Sequence, residues 1–235
     1  MWQKISFIIP VLNEAHAIVA FLQPLQVLRE QGHEVVLVDG QSEDNTRELA
    51  RPYVDRMMST EKGRARQQIL GAKMAAGQIF CFLHADTLLP ANAVQIVLQT
   101  LSQVLQPTQI DFWGRFNVHL SGSHWFFRII EAMMNWRSCL TGIATGDQAI
   151  FVSKSLYRKV DGIPLIDIME DIEFSQRLRK QQAIICIKAP VITSSRRWEE
   201  KGIMKTVLLM WQMRLQYFFG VKPEQLLKKY YPGRS

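Results

Sequence analysis

The chain has 235 residues, 48% of them hydrophobic, and carries 28 Lys and Arg against 21 Asp and Glu for a formal charge of +7. That length suits one large domain or a domain with an appendage, the apolar content is ample for a core, and extensive disorder is not expected. The basic balance suits anionic partners such as nucleotides, phosphorylated substrates or acidic lipid surfaces, without choosing among them. The three cysteines, Cys81, Cys139 and Cys186, lie far apart in apolar surroundings. That distribution predicts neither a disulfide framework nor a zinc cluster and points to a reducing cytoplasm. The opening WQKISFIIPVLNE lacks the apolar stretch of a signal peptide and reads as a strand, so secretion is not expected.

Ile5 to Ile9 is a short apolar run closed by Pro10, and Glu14 to Arg29 carries helical spacing through Ile18, Phe21, Leu22, Leu25 and Leu28. Val35 to Val38 reads as a second strand, Glu43 to Ala50 as a short helix, Arg56 to Ser59 as a third strand, Arg64 to Ala76 as a helix and Ile79 to Leu83 as a buried strand. Strand and helix thus alternate as in a parallel, doubly wound α/β sheet. The second half is mixed. A helix runs from Pro90 to about Leu105, the alternating DFWGRFNVHL reads as a strand, Trp125 to Cys139 as an aromatic helix and QAIFVS as a strand, and the loop GIATG has the character of one that closes over a ligand.

Three apolar runs end in carboxylates: VVLVDG at Asp39, IFCFLHADT at Asp86, and LIDIMEDIEF at Glu170 and Asp171. In an open α/β sheet the crevice beyond the carboxyl ends of the strands is where ligands bind, so the three acidic positions are expected to converge there. Asn13 and Glu14, after Pro10, read either as nucleotide contacts at the sheet edge or as a strand stop and helix cap. Asp39 suits a base or ribose contact, or a turn aspartate that satisfies its own loop. Ser42 through Thr46 read mainly as capping residues for the next helix. Asp86 suits a divalent ion on a nucleotide diphosphate. His84 is read as a packed strand-end histidine that borders the same site, and Arg64 as a phosphate contact or a solvated helix arginine. Glu170 and Asp171 suit general-base work or an acidic first helical turn. No glycine-rich dinucleotide loop and no Walker lysine motif is present.

Taken in order, IIPVLNE, VVLVDGQSEDNT, GQIFCFLHADT, GDQAIFVSKSLY and MEDIEFSQRLR resemble the family-2 glycosyltransferases of GT-A fold, from about Ile5 to Lys180. GRARQ, FLHADT, MEDIEF and SSRRWEEKGI more closely resemble a bacterial subgroup sometimes linked by name to arsenosugar biosynthesis. The resemblance implies an α/β GT-A fold with a mostly parallel central sheet. Residues 1–195 would form the transferase domain, with a nucleotide-binding half (1–90) and an acceptor half (91–195), and 196–235 a helical extension. It implies an inverting sugar transferase that uses a UDP- or GDP-sugar donor, a hydroxyl acceptor, and Mn²⁺ or Mg²⁺, with no nucleic-acid partner. Pro10, Asn13 and Glu14 would line the nucleotide pocket, Asp39 the base or ribose, and Asp86 the metal. Asp171 would be the base, supported by Glu170, while Gly146, Asp147, Arg197 and Trp198 would border acceptor or phosphate. Two positions depart from the family pattern: Asp39-Gly40-Gln41-Ser42 replaces Asp-Asp-Gly-Ser, and His84 replaces the first acid of Asp-x-Asp. A nucleotidyltransferase, which normally needs a glycine- and lysine-rich loop, and a noncatalytic nucleotide-sugar binder are the competing readings.

Ile203 to Val221 is strongly apolar, but Lys205 and Arg214 interrupt it, and its uncharged core falls short of the ~20 residues needed to span a bilayer. It reads as a helix packed on the domain or on a second subunit, or as an interfacial helix on acidic lipid at the inner face of a membrane.

Overall fold

Alternation along the first strand sets the layering. Ile5, Phe7, Ile9 and Val11 of β1 (Ile5–Val11) belong to one core cluster and Ile8 to the other. Both faces of the strand are therefore covered, as parallel sheets require. The computed structural model describes residues 4–230; Met1, Trp2 and Gln3, at the start of the opening strand reading, lie outside the described residues. Strands β2 (Glu34–Asp39), β3 (Arg56–Ser59) and β4 (Ile79–Phe82) join β1 in parallel. With β5 (Thr87–Leu88), β6 (Trp113–Leu120), β7 (Ile150–Ser153) and β8 (Ile185–Thr193) they form one sheet in the order β3-β2-β1-β4-β7-β6-β8-β5. The β4–β7, β7–β6 and β8–β5 pairings are antiparallel and the β6–β8 pairing is parallel, so the second half is mixed as the sequence suggests.

Helices α1 (Ile18–Leu22), α2 (Gln26–Glu30) and α5 (Ala93–Val104) supply Leu22, Leu28 and Val97 to the core on one face. Helices α3 (Thr46–Ala50), α4 (Arg64–Met74), α6 (Trp125–Thr141), α7 (Lys154–Lys159) and α8 (Glu170–Arg179) complete the domain. In α4, a Cβ on Gly71 would come within 2.5 Å of Ile8 Cγ2, so the glycine sets how closely that helix lies on β1.

Several boundaries differ from the sequence reading. The single helix expected from Glu14 to Arg29 begins only at Ile18, and a 3₁₀ turn at Gln23–Leu25 interrupts it. Pro24 lacks the N–H that a continuous helix would use. Pro10 does not end β1 but lies within it. Pairing of β1 with β4 extends only to Ile8, so the missing N–H of Pro10 falls past that ladder. Strand β8 carries Pro190 in its interior, and a register shift between Phe116 and Asn117 of β6 absorbs it. The sequence reading had no strand here. The cysteine expectation is corrected as well: Cys139 and Cys186 are disulfide-bonded with Cα atoms 6.0 Å apart, tying α6 to β8, while Cys81 is free and buried. Sequence spacing hides the pair because the packing of α6 on the sheet brings together residues 47 positions apart.

The chain ends in α9 (Arg196–Lys201), α10 (Ile203–Phe218) and α11 (Pro223–Tyr230). Met213 and Leu226 are buried against Met169 and Ile172, so α10 and α11 dock beside the approach to α8. The opposite face of α10 exposes Met204, Leu208, Trp211, Leu215 and Phe218. Among the described residues no helix is long and apolar enough to cross a membrane.

Candidate active site

Beyond β1 and β2 lies a pair of loops stapled to each other. Beyond β1 the chain turns at Asn13, whose φ of 55° asparagine tolerates. The N–H groups of Asn13, Glu14 and Ala15 donate to Ser42 Oγ (2.9 Å), Thr46 Oγ1 (2.8 Å) and Asp44 Oδ2 (3.1 Å). In return Glu43 N–H donates to Asn13 Oδ1 at 2.9 Å. Ser42, Asp44 and Thr46 thus serve the neighbouring loop, and Asp44 also accepts the N–H of Thr46 at the start of α3, as the capping reading expects. Asn13 and Glu14 likewise do not open a helix.

Asp39, the last residue of β2, is 0% exposed. Its carboxylate accepts from the N–H groups of Gln41 and Ser42, each at 3.0 Å, and from Ser42 Oγ at 2.5 Å. These bonds pin the Gly40–Ser42 turn. Glu14 is half-buried, and burial lifts its carboxyl above the usual range, with Asp86 and Asp44 adding to the lift and His16 and Arg196 opposing it. Asp86 stands exposed beyond β4. Glu14, Asp86, Asp44 and Arg196 therefore share one electrostatic neighbourhood.

The second cluster is held by backbone geometry after β4 and before β7 and α8. His84 Nδ1 lies 3.2 Å from Asp147 Oδ1, and its buried Nε2 has no hydrogen-bond partner among the described residues. A Cβ on Gly146 would meet that Nε2 at 2.2 Å, so only glycine allows the loop to lie on the ring. Gly146 N–H donates to Asp171 Oδ2 at 3.0 Å, and Ile172 N–H donates to Asp171 Oδ1 at 2.8 Å. Met169 adopts φ 66° immediately before Glu170 and turns the first turn of α8 toward this loop. Glu170 is buried; burial pushes its carboxyl up, Arg64 opposes and Asp171 adds to the shift, and Arg64 Nη1 lies 3.5 Å from its Oε1. His84, Gly146, Glu170 and Asp171 line one small cavity with Gln68, Phe82 and Phe174.

Two residues that the sequence reading did not place in a site join this cluster. Helix α6 is fastened to the sheet by Asn135, which bonds Val118 N and O at 2.8 and 3.0 Å, and by Ser138, which accepts from Gln148 Nε2 at 3.0 Å. Arg137 on that helix interacts electrostatically with Asp171, Arg115 and Arg214; burial above all, and then Arg214, lowers its guanidinium to about 10. Arg214 of α10, beside buried Met213, is lowered mainly by burial and is drawn by Asp171 and Asp147. The one sequence signal was Arg214 as a charge interrupting an apolar helix; Arg137 looked like an ordinary helix arginine. Trp198, expected at acceptor or phosphate, packs against the apolar cluster of Leu120, Phe127 and Ile130. The side chain of Arg197 lies outside the described residues, and Arg196 is the arginine near Glu14 and His16.

Among the described residues no three His, Cys, Asp or Glu side chains form a metal cage. A Mg²⁺ or Mn²⁺ ion carried on a diphosphate takes one or two protein carboxylates and completes its shell with phosphate oxygens and water. The exposed carboxylate of Asp86 fits that donor set.

Residues 6–158 match the family described as Glycosyl transferase family 2. No curated protein sequence matches significantly. Among solved structures, that of S. aureus TarS 1–349 superposes with a TM-score of 0.65 at 17% identity, covering 82% of this chain and 60% of that one. The mannosyltransferase PcManGT from Pyrobaculum calidifontis, in complex with GDP-Man and Mn²⁺, gives 0.61 at 20%, covering 81% and 56%. Glucosyl-3-phosphoglycerate synthase from Mycobacterium tuberculosis, in complex with Mg²⁺ and UDP, gives 0.60 at 17%, covering 90% and 79%. The chain thus spans about 60% of the length of the first of these. With the α/β sheet described above, these matches establish that the chain belongs to glycosyltransferase family 2 and has the GT-A fold.

Proposed function

We propose that this protein moves a sugar from a UDP- or GDP-sugar to an acceptor hydroxyl by single displacement with inversion, with Asp171 as general base. The observation that carries the reading is the seating of Asp171: both carboxylate oxygens accept backbone N–H groups, one from the Gly146 loop and one from α8. A hydroxyl is a poor nucleophile near neutral pH, so a carboxylate of fixed orientation must take its proton as it attacks the anomeric carbon. Attack opposite the leaving nucleoside diphosphate needs no covalent sugar–enzyme intermediate. Buried Glu170, tied to Arg64, positions the first turn of α8 rather than meeting substrate.

On the donor side, Pro10, Asn13 and Glu14 would border the nucleotide, and Asp39 would act through the turn it pins. Asp86 would hold the divalent ion, which when bound would stabilise charge on the departing diphosphate. His84 and Asp147 would orient the Gly146 loop. In the division that this reading uses, residues 1–90 hold donor, 91–195 hold acceptor and 196–235 form an extension. The exposed apolar stripe of α10 supports a second element of the proposal, peripheral contact of 203–221 with a membrane surface or a second copy of the chain. The test is to incubate the protein with UDP- and GDP-sugars and Mn²⁺ and follow donor consumption, then read product anomeric configuration by NMR. Retained configuration, or no turnover of any donor, would overturn the reading.

A further inference from the structure

Arg137 and Arg214 come from helices that do not adjoin in sequence, yet both lie in the electrostatic neighbourhood of Asp171, and Arg214 disfavours the charge on Arg137. Arg137 Nη2 is buried with no hydrogen-bond partner among the described residues. Neither guanidinium has an ion pair within salt-bridge distance among the described residues. Placing two cations together in partial burial is costly unless an anion completes the arrangement, and a planar guanidinium fork matches phosphate oxygens. The framework is rigid: Asn135 and Ser138 fasten α6 on either side of Arg137, the disulfide at Cys139 ties it to β8, and Met213 anchors α10 beside Arg214. The acidic groups that act on these arginines are Asp171 and Asp147; Asp86 and Glu14, on the donor side, are not among them.

We propose that Arg137 and Arg214 form an anion subsite beside Asp171 that seats a phosphate group on the acceptor, so that the acceptor is a phosphorylated alcohol, either soluble or carried on a lipid. The inference rests on the transfer reading for the word acceptor, but the anion subsite is testable without it.

Calorimetric titration of the full chain with inorganic phosphate and with methyl phosphate, in the presence of saturating UDP and Mn²⁺, reads the subsite directly. The parent is expected to bind, and Arg137→Gln and Arg214→Gln each to lose about tenfold or more in affinity, as for a charge-assisted hydrogen bond. Lys188→Gln, an exposed charge on β8, should change nothing. Phosphate should also raise the melting temperature of the parent and fail to raise that of either Gln variant, a comparison that holds even where a variant is less stable. Sedimentation with phosphatidic acid vesicles against phosphatidylcholine vesicles separates the sources. Arginine-dependent pelleting on phosphatidic acid alone marks a lipid-borne phosphate, and binding of methyl phosphate without pelleting marks a soluble one. Phosphate affinity unchanged in both Gln variants would overturn the inference. So would exclusion of phosphate by UDP together with weakened UDP binding in Arg137→Gln, because the pair would then serve the donor diphosphate. Failure of UDP to bind while phosphate still binds through the arginines would count against the transfer reading and leave the subsite standing.

Discussion

The two sides of the crevice solve the same problem, holding charged groups in place, by opposite means. At the loops after β1 and β2 the chain satisfies itself: Asn13, Glu14 and Ala15 give their N–H groups to Ser42, Thr46 and Asp44, and Asp39 is occupied by its own turn. Around Asp171 charges are gathered from distant helices and left incompletely matched, with Glu170 buried beside it and Arg137 and Arg214 acting electrostatically with it. Self-satisfied backbone fixes the shape of the loops. Gathered charge makes a site whose groups are poised by their neighbours, which is where perturbed acids and bases belong.

The sharpest break of this contrast is Asp171→Asn. The amide cannot take the acceptor's proton, so transfer should fall by ~10²–10⁴-fold while nucleotide binding and melting temperature stay near those of the parent. Single-turnover assays with calorimetry of UDP or GDP separate the two quantities, and near-normal transfer would remove Asp171 from the role.

Asp86→Ala probes the other side. It should lower nucleoside diphosphate affinity in Mn²⁺ to the metal-free level and leave the metal-free affinity as it was, because only the ion's protein ligand is gone. Titrations with and without Mn²⁺ give the answer, and full metal dependence in the variant would show that the ion sits elsewhere.

Thr46→Val tests the staple itself. The buried Thr46 Oγ1 accepts Glu14 N–H at 2.8 Å, and valine fills the same space without the acceptor. An unmet buried N–H costs about 1–3 kcal/mol, to be read from urea unfolding. Nucleotide affinity should fall with it, since the loop then loses its fixed shape.

The smallest effect expected is from Glu170→Gln, and it carries a pH signature. Burial raises the Glu170 carboxyl above the ordinary carboxylate value, so the folded state keeps a proton that the unfolded chain has already lost. The stability from this group is present at low pH and falls as pH rises through the window between the ordinary and the raised value. Glutamine stays neutral throughout, so the variant's melting temperature should gain on the parent's as pH is raised from about 4 to about 8. Transfer should drop much less than in Asp171→Asn.

Much of the first half was legible because its signals are local. Runs such as VVLVD and IFCF are short, apolar and bounded by turn residues, the pattern of a buried strand, and both are buried on both faces. The placement of Glu170 and Asp171 at the start of a helix was equally readable, because the residues after them carry helical spacing. Strand β8 was not readable, since Pro190 breaks its pattern and only the irregular register opposite Phe116 and Asn117 makes room for it.

By itself the sequence determined the α/β layering, the strand ends that carry Asp39 and Asp86, and the acidic turn at Asp171, because hydrophobic periodicity and turn chemistry act over a few residues. Tertiary structure alone decided what those carboxylates do. It turned Asp39 inward onto its own loop, joined Cys139 to Cys186, laid Gly146 on His84, and brought Arg137 and Arg214 to Asp171. Each of these depends on partners far apart in sequence, whose meeting is set by the order of strands in the sheet and the packing of helices on it.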